Sequence, residues 1–230
     1  MSVLNLNNIE KNYGITKVLK NFSMTINDKE KIGLIGPNGS GKTTLFKIIS
    51  GEESYSKGNL SIRNGTSIGY LSQMPDLDDQ NTLYEELLNV FSDVIEMKNK
   101  ISQMEKKISK LGNENNSDSK LNKLLKEYSE LQHEFEKKGG YSYESEIKKV
   151  AVGLGFTLEE LDKQIYTFSG GEKTRLGLVK LLLSKPDLLL LDEPSNHLDI
   201  PSIQWLENYL NDYQGAVVII SHDRYFLDSV

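Results

Sequence analysis

Gly36-Pro37-Asn38-Gly39-Ser40-Gly41-Lys42-Thr43 fits the pattern G-x-x-x-x-G-K-[ST]. A short apolar run, Lys31 to Ile35, precedes it, and a helix-like run from Thr44 to Ser50 follows. That strand, loop and helix order is the context a P-loop requires, and an isolated Gly-rich turn would lack it. Glycines at 36, 39 and 41 let successive backbone N–H groups turn inward around phosphate oxygens, with Asn38 and Ser40 in the same loop. The helix that begins at Lys42, Thr43 and Thr44 points its positive end at the same place. Lys42 is expected to reach the β- and γ-phosphates of a nucleoside triphosphate, and Thr43 to place its hydroxyl on Mg²⁺.

Composition sets the frame around that loop. A chain of 230 residues can bury a sizeable core, and 37% hydrophobic with 26% charged residues is ordinary for a globular protein. No apolar run reaches the ~20 residues that a membrane helix needs. The longest, Leu181 to Leu191, is interrupted by Lys185, Pro186 and Asp187. The N-terminus lacks a basic segment followed by an apolar one, so no signal peptide is expected. Zero cysteines exclude disulfides and thiolate metal sites and fit a cytoplasmic location. A net charge of −6 argues against a nucleic-acid surface covering the whole molecule, so any RNA contact would be local.

From Val3 to about Ile68 the chain reads as short strands and turns around the P-loop helix, with Gly51 placed to end that helix. Ser67 to Gln73 reads as another strand running into Gln73. Thr82-Leu83-Tyr84-Glu85 has capping-box spacing and opens a long helical region. There Leu87, Val90, Val94, Met97, Ile101, Met104, Ile108 and Leu111 alternate steps of three and four, a heptad seam. After the polar loop Gly112 to Ser119, the seam resumes at Leu121, Leu124, Tyr128, Leu131 and Phe135. Two seamed helices joined by a short loop predict an antiparallel hairpin, reaching on the order of 30–40 Å. Lysines 98, 100, 106, 107, 110, 120, 123 and 126 decorate it, interleaved with Glu105, Glu114 and Glu127. Most such charge is solvated, yet a lysine-bearing rod could touch a phosphate backbone.

Leu188 to Leu191 and Val217 to Ile220 are continuous apolar runs, as expected of strands covered on both faces. The first ends in Asp192 and Glu193, and bound Mg²⁺ and water would satisfy adjacent carboxylates there. Asp192 is expected in the Mg²⁺ shell, and Glu193 to orient and deprotonate the attacking water. Ser169, Gly170, Gly171 and Glu172 form a second Gly-rich turn running into a helix from Thr174 to Leu183. One nucleotide rarely needs two such ends, so this one is expected to serve a nucleotide held by a partner.

The P-loop, Gln73, the Ser169–Glu172 turn, the Asp192-Glu193 strand end and His222 follow one another in an order that resembles an ATP-binding-cassette (ABC) ATPase. The resemblance spans nearly the whole chain. It implies an α/β P-loop NTPase cassette with a mixed sheet core, a helical subdomain and an inserted antiparallel helical hairpin. Residues 1–230 would form a single cassette, with 1–80 and 185–230 as the ATPase core. Residues 81–184 would be the helical subdomain, with the hairpin inserted at about 94–138. It further implies that Tyr13 stacks on adenine, that Gln73 senses Mg²⁺ and the water, and that His222 contacts the γ-phosphate. Ser169, Gly170 and Gly171 would close on the partner's γ-phosphate, and Asp199 would belong to the D-loop, oriented by a hydrogen bond from His197.

Within that family, three features are similar to the ABC-F branch, soluble proteins that act on ribosomes. These are Asp192 to Asp199, Ser221 to Asp228, and the hairpin between Gln73 and Ser169, where that branch carries an arm. Ser195 replaces the usual Thr and keeps its hydroxyl, and Phe168 replaces the usual Leu. The branch joins two cassettes in one chain, so this sequence reads as the first of the two. The implied cofactors are ATP and Mg²⁺. The implied partners are a second cassette packed head-to-tail across ATP and the ribosome, through rRNA, ribosomal protein or tRNA, with no membrane insertion. Because Ser169 acts in trans, an isolated cassette should hydrolyse ATP weakly. A transporter's ATP-binding subunit would share every one of these motifs, and the hairpin is what separates the two readings. A binding module with an incidental ATP cycle is the third. His133 is expected to be a solvated surface residue and Trp205 a core one.

Overall fold

The computed structural model describes residues 1–71, 77–113 and 118–230. Its first half runs β1 (Ser2–Tyr13), β2 (Thr16–Asn27), β3 (Lys31–Leu34), α1 (Lys42–Ser50), β4 (Lys57–Ile62), β5 (Ile68–Tyr70), α2 (Leu83–Leu88) and α3 (Ser92–Asn113). The second half runs α4 (Asp118–Lys137), α5 (Tyr143–Gly153), α6 (Gly170–Ser184), β6 (Leu188–Asp192), α7 (Ile200–Asn211), β7 (Ala216–Ile220) and α8 (Arg224–Ser229). The mixed strand directions are divided between two sheets. One is antiparallel, in the order β2-β1-β4, and the other is parallel, in the order β3-β7-β6-β5.

The strands of the first sheet are longer than their sequence suggested, 12 residues each for β1 and β2. Asn8 and Asn21 explain the difference. Both adopt positive φ, 51° and 48°, and the β1/β2 register shifts beside Ile9. Such bulges bend a strand without ending it. A polar, bulged segment therefore reads as several short strands when only the alternation of side chains is followed.

The parallel sheet is the buried centre. Leu188, Leu189, Leu190 and Leu191 are all fully buried, and successive side chains leave on opposite faces. Leu188 and Leu190 pack with Leu45, Phe46 and Ile49 of α1 and with Leu4, Leu6 and Ile9 of β1. Leu189 and Leu191 pack on the other side with Leu176 and Val179 of α6 and Leu206 and Leu210 of α7. The P-loop helix α1 is thus clamped between the two sheets, while α6 and α7 cover the far face. Gly51 ends α1 in the left-handed region at φ 82°, its N–H reaching Ile48 O.

Thr82 and Glu85 close a capping box at the start of α2, as their spacing predicts. The seam then divides. Leu87, Phe91, Val94 and Phe135 are buried in the main core, with Met97 and Ile101 packed against it. Met104, Ile108, Leu121, Leu124 and Tyr128 are half-buried and belong to neither core. From Met104 outward α3 and α4 have only each other to pack on, so the hairpin leaves the globule. Tyr128 donates to Glu105 Oε1 across it at 3.0 Å. Lysines 100, 123 and 126 pair with glutamates four residues away on their own helices, Lys138 just past α4 pairs with Glu134, and His133 is exposed. No helix among the described residues is long and apolar enough to cross a membrane.

Trp205 is half-buried, stacked on Tyr209 at 5.2 Å and pressed against Gly153 of α5. A Cβ at Gly153 would fall 2.1 Å from the indole. Helix propensity favours alanine there by about 1 kcal/mol. Overpacking costs about 1–3 kcal/mol, and a rigid ring held from behind yields little. Gly153→Ala is therefore expected to destabilise the fold by roughly 1–2 kcal/mol. Urea unfolding followed by fluorescence of Trp205, the single tryptophan, measures it. An unchanged midpoint would show that the helices separate without cost.

Candidate active site

Strands β3, β6 and β7 are parallel neighbours, so their C-terminal ends share one edge, where ligands of open α/β sheets bind. The loop after β3 carries Gly36 to Thr43, β6 ends at Asp192, and β7 is followed by Ser221 and His222. A cleft of about 880 Å³ opens there. Its lining includes Asn38, Gly39, Gly41, Lys42, Thr43, Thr44, Asp192, Glu193 and His222. Two contacts join these strand ends: Thr43 to Asp192, 149 residues apart, and Asn38 to His222, 184 apart.

The loop is shaped by its glycines. Gly41 lies at φ 94° directly before α1, and a Cβ on it would stand 2.9 Å from both Val18 and Leu19 side chains. Only glycine fits both the dihedral and the space. Lys42 Nζ donates to Gly36 O at 2.8 Å and Pro37 O at 3.2 Å, folding the ammonium over the loop's own carbonyls. Thr43 Oγ1 donates to Asp192 Oδ2 at 2.6 Å. A hydroxyl and a carboxylate in contact are hard oxygen donors of the kind Mg²⁺ takes, one or two from protein and the rest from water and phosphate. No group of three or more His, Cys, Asp or Glu side chains is placed to hold a metal among the described residues.

Glu193 is held under tension. It is a non-glycine residue at φ 51°, fixed by its N–H to Ile220 O at 2.8 Å and by Asn196 N–H to its carbonyl at 3.1 Å. Its Oε2 accepts from the His222 backbone N–H at 3.3 Å. Its Oε1 is buried without a hydrogen bond among the described residues, and His222 Nε2 stands 3.4 Å away at ion-pair distance but poorly directed. The same Nε2 lies 2.9 Å from Asn38 Oδ1, tying the last motif to the first. A strained backbone and a buried carboxylate oxygen with no hydrogen bond among the described residues thus meet at the cleft. Beside them, burial and then the Asp192 charge push the Tyr70 phenol up to about 12, so it stays neutral.

Other expected site residues lie elsewhere. Ser169 caps α6 in a closed capping box: its N–H and Oγ both donate to Glu172 Oε2, at 2.7 and 2.6 Å. Those bonds hold the Glu172 carboxyl below its usual range. Ser169 and Gly170 are exposed, and neither they nor Gly171 lines the cleft. Tyr13 also stands outside the cleft lining, nearly half exposed, its phenol bonded to Glu53. Gln73 lies outside the described residues. Asp199 caps α7 by accepting from Ser202 N–H at 2.9 Å. The expected hydrogen bond from His197 is not made. Its imidazole has no hydrogen bond among the described residues and packs on Gly171, where a Cβ would sit 3.3 Å from it. His197 itself lies in the left-handed region at φ 68°.

The structure adds cleft residues that the motifs did not reveal. Thr174 and Arg175, three and four positions after Gly171 on α6, face the cleft beside His197. Arg175 lies over the Phe156 ring at 4.5 Å, with its Nε buried and unpartnered. Helical spacing from Gly171 was the available signal.

Comparison with known proteins agrees with this arrangement. The sequence profile of the ABC transporter family matches residues 19–196. The chain is 44% identical over all 230 residues to the putative ATP-binding protein YdiF of Bacillus subtilis (strain 168), covering 35% of that protein. It is 39% identical over 230 residues to ABC transporter F family member 5 of Arabidopsis thaliana, covering 33% of it as well as all of this chain. It is 39% identical over 213 residues, 93% of this chain, to the energy-dependent translational throttle protein EttA of Haemophilus influenzae, covering 37% of it. The chain therefore spans about a third of the length of these relatives. Among solved structures, the ATP-binding subunit of an ABC transporter superposes with a TM-score of 0.66 at 22% identity, over 96% of this chain and 79% of that one. A dimeric ATP-binding cassette bound to ADP and Pi gives 0.65 at 20% identity, over 98% and 90%. At these identities the likeness concerns the fold.

Proposed function

The chain belongs to the ABC transporter family of ATP-binding cassettes, and on that premise we propose that it is the Mg²⁺-dependent ATPase cassette of an ABC-F protein acting on the ribosome in translation. The observation that carries the ATPase reading is the joining of three strand ends at one cleft, through the Thr43–Asp192 and Asn38–His222 contacts. Relatives named as F family members and as a translational throttle support the branch.

The backbone amides from Gly36 to Thr43 and the Lys42 ammonium bind the β- and γ-phosphates. Thr43 and Asp192, with Gln73, would hold Mg²⁺, which supplies neutralising charge on phosphate oxygens when bound. Glu193 orients a water and takes its proton as the new bond to the γ-phosphorus forms and the bridging oxygen leaves with ADP. His222 steadies the γ-phosphate from the opposite wall. Ser169, Gly170 and Gly171, outside their own cleft, serve the nucleotide of a second cassette. The exposure of Ser169 and Gly170 on the surface fits that use. The hairpin is the arm of residues 94–138, and its outward half, unsupported by the core, is free to meet rRNA, ribosomal protein or tRNA. These assignments place the protein's work in the cytoplasm.

Ribosome co-sedimentation tests this reading. The product of the whole gene carrying Glu193→Gln is expected to pellet with ribosomes in ATP at moderate salt. Removal of residues 98–138 should reduce pelleting at least about tenfold while ATP affinity persists. Recovery with membrane proteins and not ribosomes would favour a transporter subunit.

A further inference from the structure

Lys11 is a buried lysine, 8% exposed, at the end of a strand whose neighbours are polar. Such a charge is retained in a core only when it is paired, and an apolar residue would pack there at less cost. Its Nζ donates to Ser54 O at 2.6 Å and pairs with Glu53 Oε1 at 2.9 Å. It also stands 4.9 Å from the centre of the Tyr13 ring. The Tyr13 hydroxyl donates to the other carboxylate oxygen, Glu53 Oε2, at 2.7 Å. Glu53 thus spends one oxygen on the lysine and one on the phenol.

The segment carrying Glu53 is itself stitched down on both sides. Glu53 N–H donates to Lys47 O of α1 at 3.0 Å, Ser56 N–H to Glu10 O at 2.7 Å, and Asn12 N–H to Ser56 Oγ at 3.1 Å. The end of the P-loop helix and the end of β1 are therefore one rigid unit, and Tyr13 is its exposed tip. The side chain of Thr44, in the cleft wall, also interacts with the phenol, which places the ring at the rim of the phosphate site.

We propose that Lys11 and Glu53 are positioning residues that hold the Tyr13 ring, by its hydroxyl and by one face, as the surface on which the base of the bound nucleotide stacks. The inference rests on the ATP reading above and on stacking by Tyr13. A ring fixed before binding loses little rotamer freedom when the base arrives, so the clamp raises affinity for base-bearing ligands alone. It leaves phosphate binding by Gly36 to Thr43 untouched.

The test compares the affinities of Mg·ATP and Mg·tripolyphosphate by calorimetry. Tyr13→Ala is expected to weaken ATP about tenfold, since stacking contributes on that order, and to leave tripolyphosphate unchanged. Glu53→Gln, Lys11→Met and the surface variant Tyr13→Phe should each weaken ATP about threefold and spare tripolyphosphate. In a Tyr13→Ala background, Glu53→Gln should change nothing further. If the Glu53 and Tyr13→Phe variants bind ATP like the wild type, or if Glu53→Gln weakens both ligands alike or adds in full to Tyr13→Ala, the clamp is merely structural and the proposal fails. If Tyr13→Ala itself spares ATP, stacking is wrong and the proposal falls with it. Unchanged tripolyphosphate binding keeps either failure distinct from failure of the phosphate site.

Discussion

Glu193→Gln is expected to slow ATP hydrolysis about 100- to 10,000-fold, the range lost with a general base, while ATP affinity stays within about twofold. The amide keeps the shape of the carboxylate and can still accept from the His222 backbone N–H, which now reaches Glu193 Oε2 at 3.3 Å. What it cannot do is take a proton from water. On the proposed reading Oε1 is the oxygen that matters, because it is buried, has no hydrogen bond among the described residues and lies 3.4 Å from His222 Nε2. Phosphate release gives the rate, and equilibrium titration gives the affinity. Both should be taken at several protein concentrations, since Ser169 outside the cleft predicts a rate per molecule that rises with concentration. A variant hydrolysing within a few-fold of wild type would remove Glu193 from the role of base.

The parts of this site legible in the sequence are those written in short, contiguous code. Gly41 needed no partner to be read, because its left-handed φ is demanded by the loop itself. The capping box at Thr82 was equally visible, being a contact between residues three apart, whereas the same box at Ser169 was read only as a Gly-rich helix start. The four leucines of β6 announced a strand covered on both faces by their lack of alternation. What could not be read are contacts set by the fold between distant residues of ordinary type. Lys11 and Glu53 are 42 positions apart and each alone reads as surface charge. Glu86 reads as one more helix-surface acid, yet it is 2% exposed and bonded to Lys180 of α6 and Asn81. His197 shows the same limit from the other side: its motif suggested a hydrogen bond to the D-loop, while its actual neighbour, Gly171, came from a different element.

Lys42→Ala is expected to weaken ATP binding about 10- to 150-fold, as removal of one or two charge-assisted bonds to phosphate implies. The ammonium now rests on Gly36 O and Pro37 O, so it is already folded over the space that the phosphates would fill. Binding exchanges two neutral carbonyl partners for anionic oxygens, and the difference between those partners is what the alanine variant loses. The fold itself should not notice, because Lys42 is only half-buried and α1 is anchored through Leu45, Phe46, Ile48 and Ile49. Lys42→Arg is not expected to restore affinity, since a planar guanidinium cannot occupy the same compact, carbonyl-lined position as a point charge. Thermal melting reads both effects in one series. Without nucleotide the variants should melt with the wild type. With Mg·ATP at a hundredfold excess over the wild-type Kd, ligand linkage should add about 2.7 kcal/mol to the wild type and only about 0.3–1.4 kcal/mol to Lys42→Ala. Equal nucleotide-dependent shifts in all three proteins would mean that phosphate is held elsewhere than in the loop at Gly36 to Thr43.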